Sequence, residues 1–346
     1  MGHTAAGYVW PMATGLQRMC RKLDCRAEVL RYGLNLLNRS TGAKQCLKEL
    51  LRPWLIHRLR GMDAVIVVQH LRDAFRKSLE IERLRQALPN IPILLYDLVY
   101  LPVIGRWGPW MEQDWQQSTA GMERYDGYLC VSDRSRYPLS SEIPPCIRIG
   151  IDLDDGSLFP EQKGRFQALL DFKREAYPEE RNIQLQALEE TGTPFIELSG
   201  HYPIADIRRI YRQCSIYFPA HMESFGLPIC ELQACGSYIF TPYAWWCEAH
   251  WIQNGHTDAG AEVLTDNFRV YKNDLAVLKK QIEQIKDLYD ACKVVRTLHE
   301  RQPYMYVGDL ETLQKCLQSL QTGEINAKSH QAYQGLVKHI PIRREY

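Results

Sequence analysis

The 346-residue sequence has no CxxC pair among its eleven cysteines, no GxGxxG turn and no internal repeat. The first absence excludes a zinc ribbon or a dithiol redox motif, because both need closely patterned thiols. Free cysteines buried as small hydrophobes in a reducing compartment are the reading that remains. The second argues against a nicotinamide-dependent oxidoreductase, which needs that turn after a strand and an acidic residue further on. Long apolar runs are also missing. Residues 91–105 form the longest, and Asp97 and two prolines interrupt it. About 20 apolar residues are needed to cross a bilayer, so no span is expected. The first 15 residues have no apolar core behind a basic start, so no signal peptide is expected either.

Net charge is nearly absent too, at +1, and that average conceals a division. Residues 1–106 carry 17 Lys and Arg against 8 Asp and Glu, a net of +9. The other 240 residues carry 25 against 33, a net of −8. A basic first half suits an anionic surface or acceptor. Nucleic acid is not expected, because no helix-turn-helix pattern or interleaved aromatic and basic platform accompanies the charge.

What is present is alternation. Residues 64–68, 91–96 and 127–131 are short apolar runs rich in β-branched residues, which predict strands covered on both faces. The charged amphipathic stretch 75–88 predicts a crossover helix. The pattern resumes after residue 155, with strands at 166–172, 195–198, 215–218 and 237–241. Helices are predicted at 179–191, 204–214 and 228–235, then at 275–288 and 310–320. Two βαβ blocks joined around 150–163 predict an α/β protein of two doubly wound parallel sheets. The chain opens on a Gly-rich turn with no strand before it. Either the first strand is missing or the given start lies downstream of the natural one.

The most informative stretch is 218–236, Phe-Pro-Ala-His-Met-Glu-Ser-Phe-Gly-Leu-Pro-Ile-Cys-Glu-Leu-Gln-Ala-Cys-Gly. It predicts a strand end, a loop carrying Glu223, then Gly226-Leu227-Pro228 opening a short helix that carries Glu231. Proline suits a first helical turn because its missing N–H has no helical partner to lose. Free N–H groups at the helix start make an anion site. Two carboxylates flanking such a turn suit hydrogen bonds to sugar hydroxyls on either side of a diphosphate.

This spacing, Glu-x7-Glu with Phe-Gly-Leu between, closely resembles the signature of retaining family-4 GT-B glycosyltransferases. Residues 215–241 follow that family's order of elements, with Ala220 where a serine is usual. Residues 128–132 and 147–152 resemble the last strand ends of its N-terminal domain. The resemblance spans most of 60–320 and is sharp over about 25 residues. It implies a GT-B fold of two Rossmann-like domains facing each other across a cleft. The N-terminal acceptor domain would be 1–155 and the nucleotide-sugar domain 156–321, with its last helices packing back on the first. A tail, 322–346, would follow.

The resemblance further implies that Glu223 holds donor-sugar hydroxyls and Glu231 the nucleotide ribose, which makes both of them candidate catalytic residues. Phe225, Gly226 and Leu227 would meet the phosphates through their backbone. Lys173, Arg174 and Arg181 are candidates for neutralising the diphosphate, and His201 lies where the base is held. Gly7, His70 and Asp97 are the acceptor-side candidates. Tyr96-Asp97 stands where the family often has a histidine.

The implied activity moves a sugar from a nucleotide diphosphate sugar to a glycan, lipid-linked or other hydroxyl acceptor, with retention. Cations alone would stabilise the leaving group, so no metal or cofactor is expected. The alternative is a catalytically inactive GT-B-like binding or partner protein. The expected location is cytoplasmic, with peripheral contact at the inner face of an anionic membrane through the basic half.

Plainer readings stand beside these. Lys173 and Arg174 also read as a surface pair, and His70 and His201 as structural or solvated positions. Asp152, Asp154 and Asp155 read as a linker rather than as metal ligands. Tyr243, Trp245, Trp246 and Trp251 read as packing before sugar stacking.

Overall fold

The computed structural model describes residues 8–30, 42–68, 81–99, 125–132, 146–161, 164–173, 178–220, 226–243, 264–272 and 274–327. The chain divides into two compact units, residues 1–152 with 308–346, and residues 153–307. Each contains an all-parallel sheet with helices, so the fold class is mixed α/β.

In the first unit, helix α1 (Val9–Lys22) buries Met12, Gly15, Leu16, Met19 and Cys20. That spacing of three and four places one apolar stripe on the helix. Arg21 and Lys22 fall in its last turn, where cations complement the helix dipole. Helix α2 (Gly42–Leu59) and helix α3 (Ile81–Ala87) cover a sheet of β1 (Val65–Val68), β2 (Ile93–Val99), β3 (Gly127–Ser132) and β4 (Cys146–Arg148). Val65, Val67, Ile93, Leu95 and Tyr128 share a cluster with Leu55, Ile56, Ile81 and Leu84. Alternate residues along a strand point to one face, which explains the odd-numbered set on β1 and β2.

The strands run in sequence order, β1-β2-β3-β4. A doubly wound sheet reverses its order, and among the described residues this one does not. Among the described residues each strand of this sheet pairs in parallel beside the one before it.

Asp152, fully buried after β4, is held by Lys22 Nζ at 2.9 Å and Arg18 Nε at 3.4 Å. The final helix of the unit, Leu310–Gln321, packs on α1 and β4. Its N-cap, Asp309, accepts the Thr312 N–H and donates its own N–H to the Ile149 carbonyl.

In the second unit the strands are β5 (Ala168–Leu170), β6 (Phe195–Glu197), β7 (Ile216–Phe218), β8 (Tyr238–Pro242) and β9 (Phe268–Tyr271). Their order is β6-β5-β7-β8-β9, so the chain steps out to β6 and returns to the other side of β5. The central strands β5, β7 and β8 are wholly buried, whereas edge strand β6 is half exposed. The helices are α4 (Pro178–Glu190), α5 (Ile204–Gln213), α6 (Leu227–Ala234), α7 (Leu275–Leu288) and α8 (Ala291–Arg301). Asp274 and Asp290 cap the last two by accepting first-turn N–H groups. Gly236 ends α6 at φ +82, and a Cβ there would collide with Ala291. Only glycine meets both demands at that position.

Strand β9 and helix α8 are not among the sequence expectations. β9 carries Arg269 inside an otherwise apolar run, and α8 is interrupted by charge at almost every turn. None of the eight cysteines whose side chains are described is in a disulfide, and six of them are buried.

Candidate functional site

The reversal in the second sheet locates the site. Strands β5 and β7 lie side by side with Leu170 opposite Phe218. From their carboxyl ends the chain leaves in opposite directions, which opens a crevice at that edge. Asp171 ties the two strand ends together. Its N–H donates to the Phe218 carbonyl at 3.0 Å, and its Oδ2 accepts the Ala220 N–H at 3.2 Å. Its Oδ1 accepts the Phe172 N–H at 2.8 Å. The sequence reading missed Asp171; the available signal was a carboxylate directly after three buried apolar residues.

The chain after β7 re-enters description at Gly226, the N-cap of α6, with Pro228 in the first turn and no side-chain cap. Gly226 is extended, at φ 175. The Leu227 and Ile229 N–H groups precede the first helical acceptor and Pro228 has none to offer, which is the makings of an anion site. Cys230 N–H closes the first turn on the Gly226 carbonyl.

Glu231 projects from this helix into a buried ion-pair network. Arg208, on α5, donates from Nε at 3.2 Å and from Nη2 at 2.9 Å, both to Glu231 Oε1. Arg208 Nη1 reaches Asp155 Oδ2 and Ser157 Oγ, each at 2.5 Å. Asp155 in turn accepts Ser157 N–H and Oγ–H on Oδ1. Glu231 Oε2 accepts no hydrogen bond among the described residues, and the side chain keeps 8% exposure.

Burial raises the Glu231 carboxyl above its ordinary value, and the Arg208 charge and hydrogen bonds offset only part of that. Burial also works against the Arg208 cation, but the Glu231 charge and the bonds to both carboxylates outweigh it and hold its pKa higher. The guanidinium therefore stays charged throughout the physiological range. Asp155 is opposed by burial, yet bonds from Ser157 and Arg208 draw its pKa below the usual aspartate value.

Arg208 was not read from the sequence. A cation at 208, one turn before buried Tyr211 on the same helix face, was the signal.

The other candidates fall as follows. Arg181 is buried, with Nη2 on the Asp171 carbonyl at 2.5 Å and Nε 3.7 Å from Glu197. Its Nη1 is sealed without a hydrogen-bond partner, and burial lowers its pKa against the opposing charges of Glu197 and Asp171. Lys173 is exposed two residues past Asp171. His201 is exposed after β6, beside Tyr202, whose ring lies 6.2 Å from that of Phe172. Lys173, Arg181, Gly226 and Leu227 thus fall on segments leaving β5 and β7, with Glu231 one turn further along α6. Arg174, Glu223 and Phe225 lie outside the described residues, as do Gly7 and His70 of the acceptor side.

In the first unit Asp97 is buried on β2, and its Oδ1 accepts the Leu98 N–H at 2.8 Å. Tyr96 is fully buried and donates to the Gly150 carbonyl at 2.6 Å. Its hydroxyl is used inside the core. The Asp152–Asp155 run is divided among separate partners: Asp152 to Arg18 and Lys22, Asp154 to the Tyr306 hydroxyl, and Asp155 to Arg208. Tyr243 lies under Lys272 Nζ at 5.1 Å, and Trp245, Trp246 and Trp251 lie outside the described residues. Among the described residues, no group of three or more His, Cys, Asp or Glu is placed to hold a metal.

No protein-family model matches the chain, and no curated protein sequence matches it. A UDP-forming α,α-trehalose-phosphate synthase from Burkholderia xenovorans is among the solved structures similar to it. That similarity has a TM-score of 0.44 and 12% identity, over 92% of this chain and 84% of that one.

Proposed function

We propose that the chain is a retaining glycosyltransferase of the GT-B type that takes its donor, a nucleotide diphosphate sugar, in the second unit. The carrying observation is the α6 segment itself. An uncapped helix start follows the strand at which the sheet order reverses, and one turn on is a carboxylate with one oxygen tied and one left over. The helix start suits the phosphates, Glu231 Oε2 a ribose hydroxyl, and Glu223 the sugar hydroxyls. Lys173 is an exposed cation three residues past β5, with Arg174 next to it in sequence. Arg181 supports that edge from beneath through the Asp171 carbonyl. Leaving-group charge is then met by cations and helix N–H groups, without a metal.

Titration calorimetry with UDP, ADP, GDP and CDP tests this reading, followed by turnover of the matching sugar nucleotides. At least one nucleotide binds, Glu231→Gln weakens it about 10-fold or more, as expected for a lost bond to a charged group, and Glu223→Ala abolishes turnover. Failure of all four to bind overturns the donor site. Binding without any turnover favours the inactive binding-protein reading.

On the acceptor side we propose a hydroxyl acceptor presented at an anionic membrane surface. The net +9 of residues 1–106 supports this, as do exposed Leu50 and Trp54 on α2, with the Arg58 guanidinium over the Trp54 ring. Aromatic and basic residues together suit a lipid headgroup layer. No described helix is long and apolar enough to cross a membrane. Sedimentation with vesicles at low salt checks the contact: more protein pellets with anionic than with neutral lipid. Equal pelleting removes the membrane from the proposal.

A further inference from the structure

Arg208 does not grip Glu231 in the usual fork, with one nitrogen on each carboxylate oxygen. Both of its bonds converge on Oε1. The third nitrogen is committed elsewhere, to Asp155 and Ser157, and Asp155 is itself fixed by two bonds from Ser157. One turn further along α5, Arg212 holds the same segment through Glu161 at 2.5 Å and the Ser157 carbonyl at 2.9 Å. The guanidinium is therefore anchored on the side away from Glu231. With Oε1 pinned, rotation of the carboxylate about its last bond is stopped, and Oε2 is held in one place.

Charge sharpens the consequence. One cation faces two carboxylates, so the network carries a net charge of −1. A phosphate is repelled there, whereas a hydroxyl, which donates a proton to an acceptor, is welcomed.

We infer that Arg208 is a positioning residue for nucleotide recognition, fixing Glu231 Oε1 through the Asp155–Ser157 anchor so that Oε2 accepts from a ribose hydroxyl. This rests on the reading of Glu231 as the ribose contact. Arg208 itself touches no substrate, and its effect passes entirely through Glu231.

The test uses the nucleoside diphosphate that binds best, together with its 2′-deoxy and 3′-deoxy forms, titrated into the full chain. Wild type prefers the ribonucleotide, and Glu231→Gln loses that preference. Arg208→Met reduces it about 10-fold, while affinity for the deoxy form that lacks the contacted hydroxyl stays within about 2-fold. Arg208→Met added to Glu231→Gln causes no further loss of preference, as required if the two act as one unit.

A merely structural arginine predicts a different pattern, with all nucleotides weakened alike and the deoxy forms included. That pattern overturns the inference, and so does wild-type preference in Arg208→Met when Glu231→Gln has lost it. If Arg208→Met fails to fold, Asp155→Asn decides. It keeps both Arg208 and Glu231, and full ribose preference in that variant overturns the role of the anchor. Absence of any nucleotide binding by wild type is a separate result, and it overturns the donor-site reading instead.

Discussion

Each unit buries an arginine against a carboxylate, and the two pairs are finished differently. In the first unit, Arg85 pairs with Asp126 near the amino ends of β2 and β3. Asp126 Oδ2 also accepts the Ile93 N–H at 2.7 Å, and Arg85 Nη1 donates to the Ile91 carbonyl at 3.0 Å. Those partners are backbone groups of the strand and the turn before it, so the pair locks the start of the sheet. In the second unit, Arg208 and Glu231 lie on helices that follow strand carboxyl ends, and one carboxylate oxygen is left over. The contrast shows how to separate a structural charge pair from a site. Burial is common to both, but the first is tied to backbone groups at strand starts, whereas the second lies on helices that follow strand carboxyl ends, at the edge where the sheet order reverses.

The largest expected effect breaks the structural side of this comparison. Arg85→Met leaves Asp126 buried without its cation and costs about 3–5 kcal/mol of stability, read by denaturant unfolding. Nucleotide affinity of the folded protein stays at the wild-type value. A fall in affinity would mean that the first pair also serves the site, and the distinction would collapse.

A smaller effect sharpens the functional side. Burial raises the Glu231 carboxyl, so acid protonates it before an ordinary glutamate of pKa 4.5. The groups facing it are Arg208, permanently charged, Asp155, whose pKa is lowered, and Tyr211, whose pKa burial raises well above 10. Of these, Glu231 is the first to take up a proton as pH falls. Ribose-over-deoxyribose preference therefore declines as pH falls, while Glu231→Gln shows no such decline. Calorimetry at pH 7, 6 and 5 reads it, and a flat wild-type profile would show that the Glu231 charge is not what recognises the hydroxyl. The stability term runs the opposite way. A raised carboxyl pKa destabilises the folded state above the unfolded value, and that cost is relieved as pH falls through the folded pKa.

Much of the architecture was legible from periodicity. Residues 275–288 are a helix with those bounds, and the strand runs near 64, 93, 127, 168, 216 and 238 are all strands. Their apolar residues have nowhere to go but a two-sided core, whichever neighbours they meet. Segments with mixed signals were not legible: β9 breaks its apolar run with Arg269, and α8 relies on the Asp290 cap and a thin stripe of Val294 and Leu298.

At the site, the sequence by itself determined the residue types and their spacing: a glycine, a leucine and a proline opening a helix, and a carboxylate four residues beyond Leu227. Local rules of helix starts suffice for that, because they depend on neighbours in the chain. Only the tertiary structure decided that the second sheet reverses beside β5. It also placed Arg181 beneath the edge and Tyr96 in the core, and spent one Glu231 oxygen on Arg208. Those facts join residues 10 to 54 positions apart in the sequence, as in Arg181 with Asp171 and Tyr96 with Gly150. The energy that sets them, desolvation balanced against ion pairing, exists only once the chain has closed around them.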